Sequence, residues 1–533
     1  MKILFVARHF NYFRNFDSVL RHLASKGHSI HLAVERDETQ GLGGVALVER
    51  LAADYPSITF GEAPSREPDQ WARLSAKIRL AFDYIRYLDP RYDGTPRLRS
   101  RSEERAPEFA IRFGRSSWAK RGLVRSALRR ALRAADAALP PSQRIEAFLR
   151  EQAPDVMLIT PLIGVVGSPQ PDYVRAASAL GIPTALAVWS WDHLSSKALI
   201  RDVPDRVFVW NDVQRSEAKQ FHGVPRDRVV VTGAQCFDRW FDRQPSRGRD
   251  AFCREVGLPA DRPFAMYVGS ALFGGSPPEA DFVLRWIAAL RASPDSRLRD
   301  VAILVRPHPQ RMDEWRNVDV GRFVNVVVRG GNPVTDQSRD DYFDALFHSS
   351  AVIGLNTSAF LEAGIVGRPV LAILPPEYHE NQEGTLHFRY LTDVSDGLLQ
   401  ASRSLDEHLP QLGAALGAAA APHRGFVETF LRPYGLDVAA TPKFASAVEE
   451  LGTLRVASDR HRPSLLGRAS LGAILAIGQS PKHRAWLFDE AERRYDEWQR
   501  QKGEIRSKNR RAQLTPEQQA EAEREMRAHR ANP

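Results

Sequence analysis

The stretch that decides the fold is Met1-Lys2-Ile3-Leu4-Phe5-Val6-Ala7-Arg8-His9-Phe10-Asn11-Tyr12-Phe13-Arg14-Asn15-Phe16-Asp17, continued by Ser18 to Val34. Residues 3–7 are a short apolar run that reads as a buried strand. A polar loop follows, then a helical pattern from Phe16 to Lys26 that Gly27 stops. Ser29 to Val34 reads as the next strand. Strand, helix and strand in this order open a doubly wound α/β layer.

The same grammar returns further on. Val156 to Thr160, Thr184 to Val188, Val207 to Trp210 and Val229 to Thr232 read as strands, with helical stretches such as Pro171 to Leu180 between them. A charged, irregular segment from Asp238 to Asp261 marks a boundary. Beyond it Phe264–Val268, Val301–Val305, Val324–Val328, Ala351–Gly354 and Val370–Leu374 form a second strand series, with helices such as Asp281–Ala292 and Tyr342–His348 between most of them. Two such series predict an α/β chain of two facing Rossmann-like domains: 1–240, 241–440 and then a helical, partly flexible tail, 441–533. Within that tail Trp486 to Lys508 reads as a charged helix and 513–533 as a polar, solvated end.

Composition limits the function classes. The chain has 533 residues, 43% of them hydrophobic, with 74 Lys+Arg against 65 Asp+Glu for a formal charge of +9. That length suits two or three domains at ~150 residues each and excludes global disorder. Two cysteines, Cys236 and Cys253, make no disulfide framework and sit in no zinc-type spacing. The apolar start is too short for a signal peptide, and Leu465–Gly478 falls short of the ~20 residues of a membrane span. A cytoplasmic protein is the expectation.

The positive charge is concentrated. Between Arg66 and Arg150 there are 20 Lys/Arg and 10 Asp/Glu, so this insertion carries +10 against +9 for the whole chain. Two helical patterns lie in it. Trp71–Leu88 aligns Leu74, Ile78, Phe82 and Ile85. Trp118–Leu139 sets Leu123, Ala127, Leu128 and Leu132 against Arg125, Arg129, Arg130 and Arg133. Arg-rich amphipathic helices with Trp and Phe suit an anionic membrane surface, which 66–150 would meet on the inner face. Stripes that simply pack on the domain would read the same way. No nucleic-acid module accompanies the charge, so nucleic acid is not expected as a partner.

Two motifs carry the chemistry. Asn356-Thr357-Ser358-Ala359-Phe360-Leu361-Glu362-Ala363-Gly364-Ile365-Val366-Gly367-Arg368-Pro369-Val370 reads as a hydroxyl-bearing turn, a short helix and the next strand. Thr357 and Ser358 at the helix start suit a phosphate, and Glu362, one turn in, is free to accept from a ribose. An ordinary capped helix would look the same. The second motif is Leu304-Val305-Arg306-Pro307-His308-Pro309, where a buried strand ends on Arg306 and His308. Ligands bind at that edge of an open sheet, and the pair offers cationic donors for phosphoryl oxygens.

Arg-Pro-His-Pro about fifty residues before a Ser/Thr…Glu-Ala…Gly-x-Pro-Val segment resembles the carboxyl-terminal domain of GT-B glycosyltransferases. The likeness is strongest to bacterial surface-polymer enzymes of the CDP-glycerol glycerophosphotransferase, capsule Kdo transferase and sialyltransferase types. UDP-N-acetylglucosamine 2-epimerases share the architecture. The resemblance spans roughly 1–60 and 150–440 and is specific only over these two motifs. It implies His308, Thr357 and Ser358 on the donor phosphate and Glu362 on the ribose. Arg306 joins them on charge grounds, and Gly269 and Ser270 as the small-residue loop that approaches a diphosphate, although a plain strand-to-helix turn would read the same way.

The first domain is then expected to hold the acceptor and the base. His9 is the first candidate base and Asp17 the second, although Asp17 also suits a helix first turn. In Trp189-Ser190-Trp191-Asp192-His193, Asp192 is a further catalytic candidate. Trp191 and His193 are candidate acceptor contacts, since rings cover apolar sugar faces. Tryptophans plugging the sheet edge are the alternative.

The glycine and the acid of Val231-Thr232-Gly233-Ala234-Gln235-Cys236-Phe237-Asp238 have counterparts in enzymes of this architecture. The polar loop 377–388 could close on the donor. Its His379, Glu380 and His387 fit no zinc spacing, and no metal or other cofactor is expected.

The implied activity is transfer of a sugar, or a polyol phosphate, from a UDP or CMP/CDP-type donor to a surface polysaccharide or lipid-linked acceptor. A 2-epimerase-like enzyme acting on the donor alone and a non-catalytic GT-B scaffold are the rivals.

Overall fold

A computed structural model describes residues 1–35, 43–162, 168–197, 199–333, 335–417, 423–458 and 464–484, with residues 497 and 500. The helices needed below are α1 (Asp17–Ser25), α2 (Ala72–Arg86), α3 (Gly122–Ala137), α4 (Gln170–Ala179), α5 (Asp212–His222), α6 (Glu279–Arg291), α7 (Asp336–His348), α8 (Ala359–Ile365), α9 (Ala440–Gly452) and α10 (Leu465–Gly478). The chain forms two compact units. One is Met1–Arg239 with Gly384–His387 and the described part of Arg424–Asp496; the other is Trp240–Glu383 with Phe388–His423.

The first unit is built on seven parallel strands: β1 (Lys2–Ala7), β2 (Ser29–Val34), β3 (Ile58–Glu62), β4 (Val156–Thr160), β5 (Thr184–Ala187), β6 (Arg206–Val209) and β7 (Val229–Val231), in the order β3-β2-β1-β4-β5-β6-β7. The second has six: β8 (Phe264–Val268), β9 (Ala302–Arg306), β10 (Val326–Val328), β11 (Ala351–Gly354), β12 (Val370–Ile373) and β13 (Leu399–Ser402), in the order β10-β9-β8-β11-β12-β13. Both are doubly wound Rossmann-like sheets. Each reverses direction of winding beside its first strand, between β1 and β4 and between β8 and β11. Such switch points open a crevice beyond the carboxyl ends of the strands. Central strands covered on both faces need apolar side chains throughout, which is why Ile3–Ala7, Val156–Ile159 and Phe264–Val268 are buried end to end.

Strands β3 and β13 are additions to the sequence reading. They are edge strands with largely exposed or half-exposed residues, so they lack a continuous apolar run. A further correction concerns the expected tail. α9 belongs to the core of the first unit, where Phe444 packs against Phe16 and Phe208 with ring centroids 5.8 and 5.2 Å apart. Asp238 fixes its start by accepting from the Ala440 and Thr441 N–H groups at 3.0 and 2.6 Å. A carboxylate there satisfies otherwise orphan amides and meets the positive end of the helix dipole. The charged helix expected over 486–508 and the polar end 513–533 lie outside the described residues.

The basic insertion is part of the first unit, and four of its cations, Arg66, Arg79, Arg86 and Arg105, are buried there. Leu74, Ile78, Phe82 and Ile85 are buried as their stripe predicts, together with Leu132. Leu123 is not; it stands 85% exposed. Arg79 on α2 donates to both oxygens of Asp172 on α4 at 2.7 and 2.8 Å and to Asp136 on α3 at 3.0 Å. Arg66 also reaches Asp172 at 2.8 Å, and Arg175 reaches Asp136 at 2.6 Å and Asp202 at 2.7 Å. Burial alone would raise the Asp172 carboxyl, but Arg79 and Arg66 outweigh it and hold it well below its ordinary range.

Removing one partner strands buried charge. Asp172→Ala should therefore cost about 3–5 kcal/mol in urea unfolding at neutral pH. Glu146→Ala, which breaks the exposed pair with Arg150, should cost well under ~1 kcal/mol. The stability that Asp172 supplies is present above its unfolded value near ~4 and lost as pH falls below it, so acid should narrow the gap between wild type and Asp172→Ala.

Candidate functional site

In the second unit, strand register brings three loops together at the switch point. Val268 lies beside Arg306, and Ile353 beside Tyr267. The residues that follow, Gly269-Ser270, Pro307-His308 and Leu355 to Ser358, therefore emerge side by side. Gly269 N–H donates to the Arg306 carbonyl at 2.9 Å. A Cβ at Gly269 would lie 2.5 Å from the His308 nitrogen, so only glycine lets the two loops touch backbone to backbone. Ser270 is fully buried, and its Oγ accepts from the Asn356 N–H at 3.1 Å, tying the first loop to the third.

His308 differs from the sequence expectation in its charge. Burial, with Arg311 nearby, lowers its pKa to about 4, so the imidazole is neutral at pH 7. Its Nδ1 accepts from the Gln310 N–H at 3.2 Å, which leaves the proton on Nε2. His308 is thus a neutral donor with a fixed tautomer. The cation is Arg306, 8% exposed, with its guanidinium over the Tyr342 ring at 4.7 Å and Nη2 donating to the Gly331 carbonyl at 3.2 Å. Gly330, at φ +152°, lets the backbone press on this side chain: a Cβ there would meet Arg306 Cγ at 2.6 Å. Among the described residues no carboxylate lies within ion-pair distance of Arg306, and burial lowers its pKa from the ordinary guanidinium value.

The sequence leaves Glu362 free to accept from a ribose; in the structure it already accepts from the hydroxyl of Tyr342 on α7. Arg306, Tyr342 and Glu362 thereby form one group. Thr357 Oγ1 accepts from the Ala359 N–H at 3.4 Å, and Ser358 is exposed at the start of α8. α8 has only seven residues, so its dipole contributes less than the motif suggested. Sequence reading missed Asn356, whose Nδ2 donates to the Asn381 carbonyl at 2.6 Å. It also missed Glu279, at the start of α6, where acidic residues commonly sit. Glu279 accepts from the Ser270 N–H at 2.8 Å and the Tyr267 hydroxyl at 3.1 Å.

In the first unit the loops after β1 and β5 meet. The His9 and Tyr12 rings are 4.5 Å apart, Tyr12 packs edge-on against Trp189 at 5.1 Å, and Lys197 Nζ lies 4.6 Å over Trp189. Lys197 also holds Asp192 at 2.8 Å. Burial would raise the Asp192 carboxyl, but Lys197 and the hydrogen bonds from Lys197 and Ser190 keep it far below its ordinary range, which makes it a weak base. Asp17 is in the first turn of α1, paired with Arg21 at 3.1 Å, and does not join this group. Trp191 is 5% exposed and packs edge-on against His387 at 4.6 Å. His193 is completely buried with its Nε2 on the Pro161 carbonyl, and burial lowers its pKa to about 4. Trp191 and His193 therefore brace the loop rather than present a sugar-binding face.

No family model and no curated protein matches the chain. Its likenesses are to solved structures. They include the UDP-GlcNAc 2-epimerase from Methanocaldococcus jannaschii (10% identity over 84% of this chain and 99% of that chain, TM-score 0.47). WaaG, a glycosyltransferase involved in lipopolysaccharide biosynthesis, is another (13% identity, 84% of this chain and 99% of that chain, TM-score 0.42). A third is Anabaena Alr3699/HepE in complex with UDP and glucose (11% identity, 90% and 100%, TM-score 0.42). Transferases and epimerases both occur among them, and likenesses this distant assign no activity. Among the described residues no group of three or more His, Cys, Asp or Glu could hold a metal ion.

Glu279 gives this site a pH signature. Burial pushes its carboxyl up to about 7 despite the two hydrogen bonds it accepts. An unfolded glutamate loses its proton near ~4.3. Between those values the folded chain keeps a proton that the unfolded chain has lost, so this residue's contribution falls as pH rises to about 7 and is flat above. Glu279→Gln should gain on wild type by about 2–3 kcal/mol in urea unfolding between pH 4.5 and 8. A difference independent of pH would show that the carboxyl ionises normally.

Proposed function

We propose that the chain is a GT-B-type transferase whose second unit binds a nucleotide-linked donor, of UDP or CMP/CDP type, at the switch point of its sheet. The observation that carries this reading is the buried Arg306, with no carboxylate at ion-pair distance among the described residues, set beside the fixed Nε2–H of His308. A buried cation without an ion-pair partner is costly unless an anionic ligand supplies the missing charge. Arg306, His308 Nε2–H, Thr357, Ser358 and the Gly269-Ser270 backbone would take phosphoryl oxygens, and Glu362 a ribose hydroxyl.

The acceptor, a surface polysaccharide or lipid-linked glycan, is assigned to the first unit. His9 is the proposed base, because Asp17 is tied to Arg21 and Asp192 is too acidic for the task. In the transfer of a sugar the acceptor oxygen attacks the anomeric carbon and gives its proton to His9. The bond from that carbon to the phosphate oxygen breaks, and the electron pair leaves on the nucleotide, facing Arg306 and His308. The reading includes no metal cofactor.

The test uses the folded chain and UDP, CMP and CDP in a thermal-shift titration, since a ligand that binds only the native state raises its apparent stability. At least one nucleotide should raise Tm. His308→Ala should weaken that binding by about tenfold or more and abolish turnover, while His308→Gln, which keeps a donor near Nε2, should retain part of both. No shift with any nucleotide, or full turnover in His308→Ala, overturns the assignment.

We further propose that the first unit meets an anionic membrane surface on the inner face. Trp118 and Leu123 are 54% and 85% exposed beside Arg121, whose guanidinium lies 4.5 Å over the Trp118 ring. α10 adds Leu465, Leu466, Ile474 and Ile477, all exposed, while Leu471 anchors it to the insertion. No described helix is long and apolar enough to cross a membrane, so the contact would be interfacial. Trp118→Glu with Leu123→Glu should cut co-sedimentation with phosphatidylglycerol vesicles several-fold without unfolding; unchanged co-sedimentation contradicts it.

A further inference from the structure

The first unit holds a second concentration of positive charge, apart from every residue assigned to donor or acceptor. A pocket of about 240 Å³ lies where the insertion meets the loop Leu199–Val203 and the last turn of α5. Its cationic lining is Arg86, Arg91, Arg129, Arg133, Arg201 and Lys219, and among the described residues no Asp or Glu lines it. The charges differ in how they are met. Arg86 pairs with Asp83 at 3.3 Å and Arg91 with Asp89 at 3.0 Å. Arg133 and Lys219 have no carboxylate within ion-pair distance among the described residues.

Arg129 is the most telling. It is half-buried, its closest carboxylate contact is Asp89 at 3.8 Å, and its buried Nε has no hydrogen-bond partner. Burial and the like charges of Arg133 and Arg91 disfavour the guanidinium there, although Asp89 and Tyr92 partly offset them. An arrangement this poorly neutralised is held together by its apolar frame. Phe82 lies under both Arg129 and Arg133, at 5.8 and 5.6 Å from ring centroid to guanidinium, and Tyr92 and Phe221 pack 6.0 Å apart.

We propose that this pocket is a binding site for a phosphoryl group. Three cations without adequate partners converge on one concavity, which suits a dianion with three acceptor oxygens better than a single carboxylate. The aromatic and aliphatic floor would contact the group that bears the phosphate, either the carbon skeleton of a soluble phosphomonoester or the headgroup region of an anionic lipid. The site stands whether or not the second unit binds a nucleotide, because it shares no residue with the donor site.

The experiment titrates the full chain by calorimetry with inorganic phosphate, a hexose phosphate and glucuronate. In parallel it measures co-sedimentation with phosphatidic acid vesicles. Wild type is compared with the double variant Arg133→Ala/Lys219→Ala, both positions being solvent-exposed, and with Arg129→Gln. Nucleotide binding by thermal shift serves as a control for folding and for the separate donor assignment. Binding of the hexose phosphate that weakens by about tenfold or more in the double variant, with nucleotide binding unchanged, supports the soluble ester as the source. Loss confined to phosphatidic acid vesicles supports the lipid headgroup. Equal binding by wild type and variants, no binding of any phosphate probe, or glucuronate binding as tightly as the phosphates overturns the proposal.

Discussion

The contact between Gly269 and the Pro307-His308 backbone is the constraint on which the candidate site depends. With a 2.5 Å approach to the His308 nitrogen, no side chain fits at position 269. The loops after β8 and β9 consequently leave the sheet as one layer. Ser270 then reaches the third loop through Asn356, and Glu279 locks Ser270 from behind. Each polar group is positioned by a backbone group of a neighbouring loop, so the edge of the candidate site is preformed rather than assembled by flexible side chains.

Charge is handled in opposite ways within the chain. Arg79 and Arg175 are buried, and each is bound by two aspartates from other elements, which makes them part of the frame. Among the described residues Arg306 is buried with no such carboxylate, and half-buried Arg129 has only Asp89 at 3.8 Å. Because an uncompensated buried cation costs several kcal/mol, position and pairing separate frame from candidate site better than residue type does. The insertion's +10 exceeds the chain's net charge of +9, yet several of its arginines face inward and only the remainder is available to a partner.

The two parallel sheets were legible because strands covered on both faces must be apolar throughout. β3 and β13 escaped because edge strands need not be. The Arg79–Asp172 bond joins residues 93 apart in sequence, and no local pattern announces such a pair. α9 read as tail because its partners, Phe16 and Phe208, lie far back in the chain. In the second unit's motifs Arg306 and His308 could be placed from the strand that ends at them. The neutrality of His308 could not, since it comes from burial and from the nearby charge of Arg311. Trp191 and His193 show the converse: an aromatic and imidazole loop after a strand reads alike whether it meets a ligand or plugs the sheet edge.

Hydrogen–deuterium exchange of the full chain with and without a saturating nucleoside diphosphate tests the central claim most directly. Bound nucleotide should slow exchange at the amides of 269–270, 308–311 and 356–362, and leave the first unit's loops after β1 and β5 unchanged. Protection confined to the first unit, or none at the three loops that Gly269 brings together, would contradict the account.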